Sequence, residues 1–234
     1  MSHDKNVNES IIEGRNAVIE AFRSGKPVDK LFVLDGCQDG PILTIKREAK
    51  AKQTPVKFVT KERLDQLSET GKHQGVIAYA AAYEYATVEE ILDNARQKGE
   101  APFLFLLDNI EDPHNLGAII RTAECAGAHG VIIPRRRSVG LTAVVGKASA
   151  GALEYMPVAR VANLVATIRD LKARGIWVFG TAADGDTTLT GADLRGPAAI
   201  VIGNEGSGMS RLVAESCDLK VSIPLKGHIS SLNA

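Results

Sequence analysis

The segment D-N-I-E-D-P-H-N-L-G-A-I-I-R-T-A-E-C-A-G, residues 108–127, places polar side chains where an apolar run ends. The preceding F-L-F-L-L predicts a buried strand, and Asn115 lies near the start of a helix predicted over 116–126, with Arg121 inside it. The α/β folds bind ligands at the carboxyl ends of parallel strands. An amide and a guanidinium at such an edge could hold a polar substrate. Taken alone, the same residues also fit a capped helix with a solvated arginine.

A second segment, I-V-I-G-N-E-G-S-G-M-S at 200–210, contains Gly203, Gly206 and Gly208. Glycines let a backbone approach a ligand closely or adopt a positive φ angle. The segment is not a Walker phosphate loop, because no G-K-[ST] follows, and it lies too late in its domain for a dinucleotide fingerprint. Glu205 would repel a pyrophosphate, so we expect this turn to face a cationic or neutral ligand.

A third segment, I-P-L-K-G-H-I-S-S-L-N at 223–233, follows a predicted strand. Its proline and glycine predict a loop whose backbone groups can bind a ligand, whereas Ser231 and Asn233 also fit the role of helix caps. The final S-S-L-N-A is typical of the first turn of a helix. We therefore expect the sequence to be truncated within its last helix.

Positive charge is concentrated in two places, although 28 Lys and Arg residues balance 28 Asp and Glu residues. Residues 46–63 hold seven basic and two acidic side chains, and R-R-R occupies 135–137. Charge runs are usually solvated surface, but local basic patches also bind phosphates whatever the net charge. We expect phosphate contacts from seven residues: Lys46, Arg47, Lys50, Lys52, Lys57, Arg135 and Arg136.

Composition narrows the class of protein. The chain of 234 residues is 44% hydrophobic, which is typical of a folded globular protein. No stretch has the length of apolar sequence needed for a membrane-spanning helix, and the first residues lack an apolar signal core. Three scattered cysteines and five unpatterned histidines argue against a disulfide framework and against a metal site. We expect a cytoplasmic protein without a bound metal.

Strands and helices alternate along the chain, which predicts two α/β units. We expect a small domain over 1–82, a linker and helix over 83–101, and a larger domain over 102–234. Thr87 and Glu90 have capping-box spacing, which predicts a helix over 88–98. The other predicted helices cover 12–22, 41–52, 61–68, 164–173 and 210–216. The other predicted strands cover 30–35, 56–59, 75–82, 103–108, 130–134, 176–181 and 198–203.

Together and in this order, the three segments resemble the three successive motifs of the SpoU/TrmH family. The resemblance extends through R-R-R-S-V-G-L-T-A-V-V-G-K-A-S-A-G-A at 135–152. G-R-N-A-V at 14–18 and H-Q-G-V-I-A at 73–78 resemble the family's small L30e-like substrate-binding domain. The family comprises S-adenosylmethionine-dependent RNA ribose 2′-O-methyltransferases of the SPOUT class. The subgroup most similar to this chain methylates a guanosine ribose in bacterial large-subunit rRNA.

The resemblance implies an α/β domain with a C-terminal trefoil knot, a homodimer formed through the catalytic domain, S-adenosylmethionine as cofactor and no metal. It implies that the methyl donor is held by backbone groups of Gly203, Ile223 and Leu232, with Thr181 in the loop after its strand. It assigns the reaction site to five residues: Asn115, Arg121, Glu205, Ser231 and Asn233. Leu225 departs from the methionine more common in the family, an exchange of one apolar side chain for another.

A ribose 2′-hydroxyl is a poor nucleophile, so its oxyanion must be generated or stabilised as it attacks the methyl group. The family account gives Arg121 the activating role. A guanidinium rarely loses its proton, so we expect Arg121 to act as a cation that stabilises the oxyanion or an adjacent phosphate. Glu205 could attract the sulfonium of the donor or orient Arg121. The identity of the general base stays open.

Other functions fit parts of the sequence. A non-catalytic RNA-binding or ribosome-assembly module would use the basic clusters without the reaction site. A nucleotide-binding oxidoreductase is suggested by the glycine-rich turn alone, and the late position of that turn and Glu205 count against it. Within the methyltransferase hypothesis, tRNA is the alternative substrate to rRNA.

Overall fold

A computed structural model describes residues 10–227, which form two compact units. The first unit comprises the described residues up to Glu84 together with Gly140–Ala143. The second comprises Tyr85–Val139 and the described residues from Val144 onward. The predicted C-terminal helix start, with Ser231, Leu232 and Asn233, lies outside the described residues.

The first unit is a four-stranded mixed sheet with helices on both faces. Its elements are β1 Ser10–Glu13, α1 Arg15–Arg23, β2 Val28–Leu34, α2 Gly40–Ala51, β3 Val56–Val59, α3 Lys61–Leu67 and β4 Val76–Ala80. The strand order is β1-β4-β2-β3; β4 runs antiparallel to both neighbours, and β2 and β3 are parallel. One core lies under α1 and α2, and a smaller one lies under α3. Among the four strands described for this sheet, the edge strand β3 is the most exposed to solvent.

The prediction of a helix starting at Ile12 was wrong at its beginning. Ile12 pairs with Ala78 in the antiparallel β1–β4 ladder, and α1 starts only after Gly14, whose φ of +90° breaks the strand. Ile12 packs into the same core as Val18 on α1. An apolar residue of a strand and one of a following helix thus share a core, so their spacing imitates one longer helix.

Glu13 ties the end of β1 to the turn after α3. Its carboxylate accepts hydrogen bonds from the Ser68 hydroxyl at 2.5 Å, the Thr70 hydroxyl at 2.6 Å and the Glu69 N–H at 2.6 Å. Burial alone would raise the pKa of Glu13, but these donors outweigh it and lower the pKa to about 2. The tie therefore depends on the ionised carboxylate.

The second unit is a seven-stranded sheet in which every described pair of strands is parallel. Its helices are α4 Val88–Lys98, α5 Pro113–Cys125, α7 Leu164–Ala173 and α8 Arg211–Ser216, together with α6 Ala143–Ala148, of which all residues but Ala143 belong to this unit. Its strands are β5 Phe103–Leu107, β6 Gly130–Pro134, β7 Val158–Val161, β8 Trp177–Thr181, β9 Thr187–Thr188, β10 Ala198–Ile202 and β11 Leu219–Ser222. The inner strands are almost continuously buried, as expected for a parallel sheet covered on both faces.

Two predictions for this unit need adjustment. The helix predicted over 116–126 begins three residues earlier, at Pro113, because the Asp112 side chain caps it by accepting from the His114 N–H at 2.7 Å. The strand β7 and the helix α6 were not predicted. Both are short, β7 contains an arginine and α6 contains a glycine, so neither gives a periodic apolar signal.

The strand order of the second unit is β7-β6-β5-β10-β8-β11-β9. From β5 the chain proceeds outward through β6 and β7, and then continues on the other side of β5 with β8, β10 and β11. The neighbouring strands β5 and β10 therefore flank the point where the winding direction reverses. Such a switch point opens a crevice at the carboxyl ends of the strands, where α/β sheets bind ligands. Among the described helices, none is long and apolar enough to cross a membrane.

Candidate active site at the switch point of the parallel sheet

Three predicted site residues and Asp108 lie at one edge of the sheet. Asp108 follows β5, Gly203 follows β10, Thr181 ends β8 and Ile223 follows β11. These strands are consecutive neighbours in the order β5-β10-β8-β11, and all run in the same direction. The structure thus brings together the first motif, the glycine-rich turn and the start of the third motif, which are up to about a hundred residues apart in sequence.

Asp108 is a buried carboxylate that joins the first motif to the second. It is only 6% exposed, and its side chain accepts a hydrogen bond from the Ser210 N–H at 2.6 Å. Its own N–H donates to the Ile202 carbonyl at 2.9 Å, which extends the β5–β10 ladder by one residue. A buried charge requires such partners. Asp108 therefore fixes the start of α8 against the end of β5.

Asn115 and Glu205 make a second connection between the motifs. The Asn115 amide donates to the Glu205 carboxylate, and both side chains are half-buried. Asn115 is the third residue of α5, so the capping role belongs to Asp112 and leaves the Asn115 side chain for Glu205. A hydrogen bond to a carboxylate is stronger than one between neutral groups. The bond therefore restricts where the Glu205 charge can point.

The glycine-rich turn is organised by Asn204. Its side-chain oxygen accepts from the Gly206 N–H at 3.0 Å and the Ser207 N–H at 3.1 Å, and its amide donates to the Asn109 carbonyl at 3.3 Å. At Gly203, a Cβ atom would lie 2.3 Å from the Gly208 carbonyl carbon, which leaves no room for a side chain. The turn folds back on itself so tightly that glycine is required there before any ligand is considered.

Arg121 does not share a contact with this pair. It lies six residues after Asn115 on α5, which is about 240° around the helix and about 9 Å along its axis. Its side chain is exposed and forms no hydrogen bond or ion pair with the described residues. The alternative in which Glu205 orients Arg121 is thus not realised within this chain, because the partner of Glu205 is Asn115.

Thr181 differs from its expected position. It is the last residue of β8 rather than part of the following loop, and its hydroxyl donates to the Val201 carbonyl of the neighbouring strand β10 at 2.9 Å. The side chain therefore fastens two strands beneath the site.

The strand ends suit a nucleoside-type methyl donor. No hydrogen bond with the described residues occupies the backbone N–H or C=O of Gly203 or Ile223. Ile223 and Leu225 are 52% and 39% exposed, so apolar side chains accompany these backbone groups. Glu205 adds a negative charge. An apolar surface with backbone donors and acceptors fits an adenosine, and the carboxylate fits the sulfonium of S-adenosylmethionine.

The seven predicted phosphate-binding residues divide by environment. Lys46, Arg47, Lys50 and Lys57 belong to the first unit and are described further below. The Lys52 ammonium donates to the Phe22 carbonyl, which fastens α2 to α1. In the second unit, Arg136 is exposed. Arg135 is half-buried at the end of β6, where burial and then the nearby Arg160 lower its pKa.

Sequence reasoning missed Asp108 and Asn204 as site residues. Each is a polar residue directly or almost directly after an apolar strand, D-N after F-L-F-L-L and G-N after A-A-I-V-I. A polar residue after an apolar strand was the signal in the sequence that could have identified them as site residues. Their roles depend on partners about a hundred residues away, which no local pattern reveals.

Other chemistries find little support in the described part of the chain. No group of three or more His, Cys, Asp or Glu residues there could hold a metal ion. Burial raises the pKa of the Cys217 thiol to about 11, which makes it a poor nucleophile at neutral pH. The carboxyl end of the parallel sheet at the switch point, with backbone groups and one fixed carboxylate, is the place in this α/β protein that suits a nucleoside-type ligand.

Comparison with known proteins gives the family. Residues 102–234 match the SpoU rRNA Methylase family, and residues 11–86 match the domain described as RNA 2'-O ribose methyltransferase substrate binding. The chain belongs to the SpoU rRNA methylase family, also called SpoU/TrmH. It is a methyltransferase of this family, whose methyl donor is S-adenosylmethionine.

Individual relatives agree with this assignment. The chain is 48% identical over 221 residues to YacO of Bacillus subtilis, assigned by name to the TrmH family of tRNA/rRNA methyltransferases, covering 94% of this chain and 88% of that protein. The SpoU methyltransferase AviRb from Streptomyces viridochromogenes, solved with AdoMet, aligns with a TM-score of 0.58 at 26% identity, over 96% of this chain and 84% of AviRb. An AdoMet-bound rRNA methyltransferase from Sinorhizobium meliloti aligns with a TM-score of 0.57 at 26% identity, over 95% and 81%.

Proposed function

We propose that this protein transfers a methyl group from S-adenosylmethionine to the ribose 2′-hydroxyl of a guanosine in bacterial large-subunit rRNA, in the cytoplasm. The observation that carries the proposal is the bond between Asn115 and Glu205 at the switch point, close in sequence to Gly203, whose backbone groups form no hydrogen bond with the described residues. It puts one aimed carboxylate next to the place suited to the methyl donor.

The reaction needs few protein groups. S-adenosylmethionine would supply an electrophilic methyl carbon on its sulfonium. The ribose 2′-oxygen would bond to that carbon as the carbon–sulfur bond breaks and leaves a neutral thioether, and the hydroxyl proton would pass to a general base. Backbone groups of Gly203, Ile223 and Leu232 hold the donor, over the strand end that Thr181 fastens. Glu205, aimed by Asn115, attracts the positive sulfonium. Because this attraction is electrostatic, it operates without proton transfer by Glu205.

Arg121 stabilises the negative charge that develops on the ribose oxygen, or the adjacent phosphate. Ser231 and Asn233 complete the reaction site in this proposal. The position of Arg121, about 240° around α5 from Asn115, supports a composite site in a homodimer, in which Arg121 of one subunit serves the donor pocket of the other. Its exposed, uncommitted guanidinium is consistent with that role.

A tRNA substrate is the second candidate, because the name of the similar B. subtilis protein covers both tRNA and rRNA. The two candidates share every protein step and differ only in the RNA. Methylation assays with purified large-subunit rRNA and with bulk tRNA, followed by nuclease digestion and mass spectrometry, identify the substrate and the methylated nucleoside.

The test of the reaction site replaces Arg121 by alanine. We expect methyl transfer to fall by a factor of about 100 to 1,000, which is typical for losing one group that stabilises an oxyanion. Binding of S-adenosylhomocysteine by calorimetry and the thermal midpoint should stay close to wild type, because Arg121 is exposed and forms no hydrogen bond or ion pair with the described residues. Arg169→Ala, an exposed arginine on α7, is the matched control. Full activity of Arg121→Ala would remove Arg121 from the mechanism.

Absence of S-adenosylhomocysteine binding by the wild-type protein would instead favour a non-catalytic RNA-binding module on the same fold.

A further inference from the structure

One flank of the first unit combines an exposed aromatic ring with positive charge. Phe58 on the edge strand β3 is 53% exposed, and Leu43 on α2 is equally exposed. Leu43, Lys46, Arg47 and Lys50 have the spacing i, i+3, i+4, i+7, so they form one stripe along α2. The Lys46 ammonium lies 5.0 Å from the centre of the Phe58 ring, which connects the stripe to the strand. We refer to Leu43, Lys46, Arg47, Lys50 and Phe58 as the α2–β3 surface.

The geometry holds a cation beside the ring. The Lys46 ammonium also donates to the Cys37 carbonyl at 2.9 Å, so two contacts restrict it. Lys50 forms no hydrogen bond or ion pair within the described part of the chain. Arg47 lies 3.7 Å from the Glu48 carboxylate, but its side chain is 77% exposed. The surface therefore has one fixed positive charge beside an exposed ring and two exposed positive charges on the same stripe of α2.

The neighbouring basic residues belong to other faces. Lys52 donates to the Phe22 carbonyl on the α1 side of α2. Lys57 precedes Phe58 on β3, so its side chain points to the opposite face of the sheet, where Val59 packs with the core under α3. Lys61 on α3 is paired with Asp65 at 3.5 Å. The fold thus divides the basic cluster at 46–63, and within the described residues its α2 part lies beside the exposed ring of Phe58.

An exposed aromatic ring with one cation beside it and further cations on the adjacent helix matches the chemistry of single-stranded RNA. Unpaired bases stack on aromatic side chains, while Lys and Arg contact the backbone phosphates. Double-stranded RNA buries its base faces and offers no base to stack. We propose that the α2–β3 surface binds a single-stranded segment of the RNA substrate, with one unstacked base on Phe58 and its phosphates on Lys46, Arg47 and Lys50. The proposal rests on the proposed function, since it assigns a contact to that RNA.

The test measures binding of a fluorescein-labelled single-stranded RNA of about 12 nucleotides, with a duplex of the same sequence for comparison. Phe58→Leu keeps an apolar side chain but removes the ring, and should weaken single-strand binding about 10-fold with little effect on the duplex. Phe58→Trp should keep the affinity. In a Trp177→Phe background, its indole is the sole tryptophan, and its fluorescence should be quenched by the single strand alone.

Lys50→Gln and Lys72→Gln form a matched pair, because each removes one exposed charge from the same unit and Lys72 lies in the turn after α3, outside the α2–β3 surface. Lys50→Gln should lower the slope of log affinity against log salt concentration by about 0.7. Lys72→Gln should leave that slope unchanged. Equal losses from both variants would mean that the charge acts non-specifically, and would overturn the assigned surface.

The remaining outcomes separate this proposal from the function itself. Wild-type affinity for the single strand in Phe58→Leu, with methyl transfer retained, overturns the surface and leaves the methyltransferase intact. Loss of self-association in Phe58→Leu without loss of RNA affinity assigns the surface to a protein contact and also overturns the proposal. If the wild-type protein bound neither the single-stranded RNA, nor the duplex, nor S-adenosylhomocysteine, the result would contradict the proposed function as well. Thermal unfolding of each variant checks that the first unit is folded.

Discussion

Removing the hydrogen bond between Asn115 and Glu205 should uncouple the first motif from the glycine-rich turn. The perturbation is a double-mutant cycle of Asn115→Ala, Glu205→Ala and the double variant. Each single change eliminates the bond. If the two residues act through this bond, the double variant should lose less stability than the sum of the losses in the two single variants. The cycle isolates the pair from the other contacts of the turn, such as those made by Asn204.

The structure sets the expected size. The acceptor is a carboxylate and both side chains are half-buried. The bond should therefore be stronger than an exposed ion pair and weaker than a fully buried charge-assisted hydrogen bond. We expect a coupling free energy of about 1 to 2 kcal/mol. The control pair is Arg211 and Glu215 on α8, 2.7 Å apart with side chains 78% and 55% exposed. Such an exposed i, i+4 pair should couple by only about 0.3 to 0.5 kcal/mol.

The variants of the cycle are compared in two assays. Urea denaturation gives the coupling in the free energy of unfolding. Calorimetry with S-adenosylmethionine and with S-adenosylhomocysteine tests the charge of Glu205, because only the former carries a sulfonium. Glu205→Gln should weaken binding of S-adenosylmethionine severalfold more than binding of S-adenosylhomocysteine. Asn115→Ala should show part of this selective loss, since the carboxylate remains but is no longer aimed.

A coupling no larger than that of Arg211 and Glu215 would refute the reasoning that this bond joins the motifs. Equal losses for both ligands in Glu205→Gln would show that the carboxylate does not face the sulfonium. The first result concerns the architecture of the site and the second its electrostatics, so either inference can fail while the other holds.

Two further predictions concern residues fixed by backbone and charge. Gly203→Ala should lower the thermal midpoint and reduce S-adenosylhomocysteine affinity at least tenfold, because the added Cβ would lie 2.3 Å from the Gly208 carbonyl carbon. Wild-type values in both assays would mean that the turn can open with little loss of free energy. Glu13 has a pKa lowered from 4.5 to about 2, so it stabilises the fold above pH 4.5, and this contribution is lost as the pH falls toward 2. From pH 7 to pH 3 the free energy of unfolding, measured by urea denaturation, should therefore fall by roughly 1 to 3 kcal/mol more for wild type than for Glu13→Gln, after allowance for solvent screening. Equal losses in the two proteins would contradict a stabilising role of the ionised Glu13 carboxylate.

The sequence by itself determined the fold class and most of its elements. The runs at 103–107, 130–134 and 198–202 are apolar enough to predict buried parallel strands, and Thr87 with Glu90 predicted α4 to the residue. These signals are local, because a strand buried on both faces and a capping box each need only neighbouring residues. The three motifs in order were sufficient to predict the family, which the comparisons confirm.

The tertiary structure decided which of those residues meet. It placed β10 beside β5 although β6 to β9 lie between them in sequence, and so created the switch point and the bonds from Asp108 to Ser210 and from Asn115 to Glu205. It also pointed Phe58 and Lys57 to opposite faces of one strand. Sequence patterns report the environment of a residue along its own element. The partner across a sheet depends on strand order and register, which are set by packing over the whole domain.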